Sequence, residues 1–141
     1  MTYAELLSAL QSELATRFNL DAQILYRRTS DVVELTTRRV ILQPSGQAIT
    51  RTGKSEPCKT TTVDLISEEH VAQESVESVA RLRVAEMERV ATELTRRPYV
   101  GAAFCLSAET FDDAPAGVDS SILENGYALV LSGLRLTFVE N

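Results

Sequence analysis

Apolar residues recur along this chain with two different periods, and the switches between them mark out its elements. Leu6, Leu7, Leu10, Leu14 and Phe18 fall on one stripe of a 3.6-residue repeat. Thr2 followed by Glu5 is a capping box ahead of that stripe, and Asn19 is a stop signal behind it. The pattern predicts an amphipathic helix over 3–18.

Residues 19–37 carry no clean period. Ile24, Leu25 and Tyr26 suggest a short extended segment, and Val32, Val33 and Leu35 are β-prone without alternating. Arg39 to Gln43 reads as a strand, closed by the turn cluster Pro44, Ser45 and Gly46, with Gln47 to Thr52 as a short return strand. Gly53 to Pro57 is a polar loop. Cys58 to Ser67, rich in Thr and β-branched residues, predicts a strand with one partly polar face, which suits an antiparallel sheet.

A second helix is predicted over Ser75 to Arg97. Val76, Val79, Ala80, Met87, Val90, Ala91 and Leu94 share a face, Glu77 and Arg81 form an i,i+4 pair, and Pro98 stops it. Ala102 to Glu109 alternates as a strand. Thr110 to Gly126 reads as an acidic, turn-rich loop with a helical turn at Ser120 to Glu124. Tyr127 to Val139 predicts a long final strand. Its large residues change parity between Leu131 and Leu134, which calls for a bulge at Ser132–Gly133 or for burial on both faces.

The 141 residues fit one domain, and 44% apolar composition is enough for one packed core. No apolar run approaches the roughly 18 residues of a membrane helix, so no membrane partner is expected. MTYAELLSALQSEL has no basic region and does not read as a secretory signal. The net charge of −6 argues against general nucleic-acid binding. It is unevenly spread. Residues 1–59 hold 8 Lys/Arg against 6 Asp/Glu, whereas residues 60–141 hold 6 against 14. Either these are solvated faces, or the subunit sets opposite charges on neighbouring copies.

Candidate chemistry is sparse. Gly53, Lys54 and Ser55 imitate a phosphate loop, but Ala48 stands where the first Gly of that motif belongs. Cys58 and Cys105 lack zinc spacing and read as buried free thiols. His70, beside Glu68 and Glu69, reads as a solvated loop histidine without a second strong metal ligand. A nucleophile pair of either cysteine with His70 is the one catalytic alternative. The pairs Arg27–Arg28, Arg38–Arg39 and Arg96–Arg97 lack the interleaved aromatics of a single-strand binder. No catalytic residue, cofactor or metal is assigned.

The order of segments is more specific. RRVILQP leads through ITRTGKSEPC to KTTTVDLIS, then to the helix VESVARLRVAEMERVATEL, the strand AAFCLSAE, the acidic loop TFDDAPAGVDSSI and the strand YALVLSGLRLTFVE. Over roughly residues 30–141 this resembles the neck and tail-completion proteins of tailed bacteriophages, especially the tail terminators. The resemblance implies an α+β subunit, with a mainly antiparallel sheet and the N-terminal and long central helices packed on one face. It implies no catalysis. The chain would form a homo-oligomeric ring, a hexamer, between the tail tube protein and the head–tail connector protein. DNA would pass through the lumen without specific binding. The subunit would reside in the virion neck, and in host cytoplasm during assembly. The resemblance itself assigns no individual residue; within that reading the basic loops and the acidic second half make Arg38, Arg39, Arg51, Lys54, Lys59, Asp112, Asp113 and Asp119 the candidate inter-subunit or lumen contacts. Two alternatives stand beside it. One is a head-completion or connector protein. The other, of a different class, is a small cytosolic ligand-binding module, which would need a pocket with converging polar groups between sheet and helix.

Overall fold

A computed structural model describes residues 1–26, 38–51, 57–110, 116–119 and 126–140, with the backbone alone for 116–119 and Tyr127. The order is α1 (Tyr3–Phe18), β1 (Ala22–Ile24), β2 (Arg39–Thr50), β3 (Cys58–Ala72), a 3-10 turn (Gln73–Ser75), α2 (Val76–Arg96), β4 (Tyr99–Val100), β5 (Ala103–Thr110), β6 (Ala116–Asp119) and β7 (Tyr127–Glu140). The strands form one sheet in the order β1-β2-β3-β7-β5-β4, with β6 beside β7. Every pairing is antiparallel except β1 with β2. The α+β class with both helices against one sheet face is as the sequence predicts.

Helix α1 forms where its stripe places it. Thr2 Oγ1 accepts from the Glu5 amide at 3.2 Å, and Asn19 at φ 54 ends the helix while Leu20 N–H donates to Leu14 O. Leu6, Leu7, Leu10 and Leu14 are buried, and so are Met87, Val90 and Leu94 of α2. Both sets meet Val40, Leu42, Val63, Leu65, Leu134, Leu136 and Phe138 in one core. The register explains why those strand residues share a face. Leu42 pairs Leu65, which pairs Leu134, and Val63 pairs Leu136.

Three local expectations are corrected, and a fourth, left between two alternatives, is decided. Pro44–Ser45–Gly46 is not a turn with a return strand, because β2 runs on to Thr50 through a bulge between Pro44 and Gly46. The bulge frees backbone groups, and the Tyr3 hydroxyl takes them up. It accepts from the Ser45 and Gly46 amides at 3.0 and 3.2 Å and bonds the carbonyl of Thr62. Strand β3 continues beyond Ser67 to Ala72, which places His70 in a strand and buried rather than in a solvated loop. The acidic segment contains β6, paired with residues 129–132 of β7. Finally, β7 has no bulge at Ser132–Gly133, since its register with β3 is unbroken. Its helix-facing residues are even-numbered throughout, and Leu129 is also buried, on the other face. The parity change thus marks burial on both faces. The helical turn expected at Ser120 to Glu124 and the strand-prone residues Val32 to Leu35 lie outside the described residues.

Two substitutions separate core from surface. Leu136→Ala deletes a fully buried side chain in the central core and is expected to lower unfolding free energy by about 2–5 kcal/mol. Leu82→Ala, at a side chain 65% exposed, is expected to change it by less than ~0.5 kcal/mol. Urea unfolding followed by far-UV circular dichroism measures both, and equal effects would contradict this core.

Candidate interaction surface

The helix-covered face is not uniformly apolar. Along β3 the residues facing the helices change from Val63 and Leu65 to Ser67 and Glu69. Along α2 the inward residues change in step, from Leu94, Val90 and Met87 to Glu86 and Arg83. Arg83 donates to Glu69 through Nε at 2.5 Å and Nη2 at 3.3 Å. Arg38 donates to Ser67 Oγ at 2.8 Å and grips Glu86 with both terminal nitrogens. Arg83 Nη1 lies 3.7 Å from Glu86, which links the two pairs into one chain of charges. Hydrogen bonding to Glu69 holds the Arg83 guanidinium above its ordinary pKa against the opposing effect of burial. On the opposite face Arg39 bonds buried Glu68 at 2.7 Å.

The ends of the two helices are also tied. Arg17 of α1 donates to the carbonyls of Glu93 at 2.8 Å and Arg97 at 3.4 Å, satisfying the open end of α2. Arg17 and Arg89 stack over Phe18, with centroid distances of 5.5 and 5.7 Å. Phe18, Arg17, Arg89, Glu93 and Arg97 line an open cleft of about 370 Å³. A second open cleft of about 380 Å³ lies between the start of β1 and Arg38–Arg39, bordered by Gln11 and Asp21. Both clefts are lined mainly by polar and charged groups.

The candidate contact residues are spread over the molecule. Arg38 and Arg39 are engaged in the ion pairs just described, with side chains about one-fifth exposed (20% and 21%). Lys59 bonds the Met1 carbonyl and lies 3.5 Å from Glu140. Glu140 is held below the usual carboxylate range, first by its hydrogen bond from the Met1 amine and also by Lys59. Arg51 is exposed at the end of β2. Asp119 ends β6 opposite Leu129. Lys54, Asp112 and Asp113 lie outside the described residues. The catalytic alternative is not assembled. Cys105 pairs Phe138 on the helix face, whereas His70 pairs Leu129 on the other. Nine residues of β7 separate them, about 30 Å at a strand's rise. Cys58, at the far end of β3, is farther still from His70. His70 Nδ1 and Ser132 Oγ are buried without a hydrogen-bond partner among the described residues. No group of three metal-ligating side chains occurs among the described residues.

The exposed apolar residues are more informative. Tyr99 is 66% exposed, Leu106 60% and Phe104 38%, and the Tyr99 and Phe104 rings meet edge to face at 5.4 Å. All three lie on the β4–β5 edge. A bulge between Cys105 and Ser107 sets Leu106 outside the ladder. On the other side of the sheet Ile49 is 66% exposed, near the end of β2. Sequence alternation pairs Phe104 with Leu106 and sets Cys105 on the opposite face, but size alone would bury the larger pair. The structure buries Ala103 and Cys105 instead, in the helix-side core with Phe138.

Comparison with known protein families finds no family model that matches the chain, and comparison with curated proteins finds no match. The fold is α+β, with one sheet face closed by helices and held by a chain of charges, and with exposed apolar residues on β2, β4 and β5.

Two measurements test this electrostatic account. Glu69→Ala leaves the partly buried Arg83 without its main partner and is expected to cost about 1–3 kcal/mol in urea unfolding. Glu77→Ala, in an exposed i,i+4 pair, is expected to cost less than ~0.5 kcal/mol. Thiol labelling provides the second test. Burial pushes the Cys105 thiol up to about 11, so at neutral pH it stays protonated and unreactive. Mass spectrometry after native labelling at pH 7.5 should show modification at Cys58 before Cys105, with Cys105 reacting fast only after unfolding.

Proposed function

We propose that the chain is a structural virion subunit of a tailed bacteriophage, a tail terminator that forms a homo-oligomeric ring between tail tube and head–tail connector and catalyses no reaction. The resemblance in segment order motivates this reading. The observation that carries it is the placement of exposed apolar groups at the two edges of one sheet whose helix-side face is already filled. A monomer has little use for Ile49 on one edge and Tyr99 and Leu106 on the other. A subunit joined head to tail buries both, and such a contact closes into a ring when its rotation divides a full turn.

The charge layout fits a part placed between two different partners. The end of the β2–β3 hairpin bears Arg51 and Lys59, and β6 bears Asp119. Eleven residues of β7 separate Lys59's partner Glu140 from Asp119's partner Leu129, about 36 Å at a strand's rise. One end of the subunit would face the tube and the other the connector. A head-completion protein would use the same ring with the partners exchanged.

Native light scattering gives the first test. The expected mass is six times the 15.5 kDa chain. Phage tails assembled without the protein should be uncapped and should recover defined ends when it is supplied. Arg51→Glu with Lys54→Glu is expected to impair that recovery. A stable monomer that never joins phage components would contradict the reading.

A further inference from the structure

We propose that the cleft between the ends of α1 and α2 binds a small phosphate dianion, either free or as the monoester of a small organic group. Three arginines, Arg17, Arg89 and Arg97, line it together with Phe18 and a single acid, Glu93. That is an excess of two positive charges in a chain whose net charge is −6. The neighbours do not cancel it. Glu13 pairs with Arg17 and Arg96 with Glu93, each at 3.5 Å, so these two add one charge of each sign. The site belongs to a single chain and stands with or without a ring.

A cluster of like charges needs something to hold it together, and here it is the Phe18 ring. The ring attracts the guanidiniums of Arg17 and Arg89, at 5.5 and 5.7 Å from its centroid, and so restricts where those long side chains can go. Arg17 then spends its donors on the protein. It bonds the Glu13 carboxylate and the carbonyls of Glu93 and Arg97. Those bonds matter to an anion, because open carbonyls at a helix end would repel it. The Glu93 carbonyl also accepts from the Arg97 amide, and the Leu14 carbonyl of α1 accepts from the Leu20 amide. Donors therefore cover carbonyls at both helix ends.

Arg89 and Arg97 are left over. Every other arginine of the two helices, Arg17, Arg81, Arg83 and Arg96, has a glutamate partner. Arg89 and Arg97 are exposed, and neither has an ion pair or a side-chain hydrogen bond among the described residues. A guanidinium presents paired N–H donors in one plane, which is the arrangement that grips two oxygens of a phosphate. Two such groups bring two charges to a dianion. The cleft of about 370 Å³ falls within the roughly 300–1,000 Å³ of small-ligand sites. It has room beyond the phosphate for a small organic group, with Phe18 as its apolar border.

Isothermal titration calorimetry of the full chain at pH 8, with inorganic phosphate and with phenyl phosphate, tests the site. Both anions should bind one to one. Arg89→Gln with Arg97→Gln should weaken binding at least about tenfold. Arg81→Gln, which removes an exposed charge elsewhere on α2, should change it by less than about twofold. Because Arg89 and Arg97 are exposed, the double variant should keep the thermal unfolding midpoint of the parent without ligand. Tighter binding of phenyl phosphate marks the ligand as a monoester, and equal binding marks it as free phosphate. Absence of binding by both anions overturns the proposal. So does binding that sodium chloride at matched ionic strength abolishes, or that Arg81→Gln weakens as much as the double variant.

Discussion

The fold depends on a match between two surfaces that each change character halfway along. The inner side of β3 passes from Val63 and Leu65 to Ser67 and Glu69, and the inner side of α2 passes from Leu94, Val90 and Met87 to Glu86 and Arg83. Apolar meets apolar, and charge meets opposite charge. A helix shifted by one turn would lay Arg83 on aliphatic side chains and strand Glu69 without its partner, a cost of several kcal/mol. The chain of Arg38, Glu86, Arg83 and Glu69 therefore sets the position of α2 as well as contributing stability. With α2 fixed, Arg17 caps its last turn from α1, and the two helices close one face of the sheet together.

That closure directs the remaining apolar interaction capacity to the edges. The helix face is filled, and on the other face Ile41 and Ile66 are buried and Arg39 neutralises Glu68. Exposed apolar area persists on β2, β4 and β5. Protein sheets commonly guard such edges with charge, proline or bulges. Here Pro44 and the two bulges prevent a regular ladder, yet Ile49, Tyr99 and Leu106 remain outside. An edge that resists strand addition but displays apolar side chains suits one shaped partner rather than aggregation.

Much of this was legible before any coordinates. The stripe from Leu6 to Phe18 and the capping box gave α1 its bounds to the residue, and Pro98 gave the end of α2. These signals are local, so tertiary contacts had little to change. The errors share one physical cause, a partner distant in sequence. Pro44–Ser45–Gly46 is turn chemistry, and only the hydroxyl of Tyr3 makes it a bulge. Glu68, Glu69 and His70 look like a loop because acids are unwelcome inside a strand until Arg39 and Arg83 arrive to pair the two glutamates. The same limit applies to the exposed side chains. Arg38 and Arg39 read as candidate contacts and are engaged within the fold, whereas nothing in the sequence marks Tyr99 and Leu106 as exposed.

The central claim is that subunits join head to tail and close into a ring. Electron microscopy of the purified protein measures this directly through the symmetry of its class averages. The account predicts closed rings of cyclic symmetry above two-fold, with six subunits. Two-fold dimers joined through identical surfaces would contradict it.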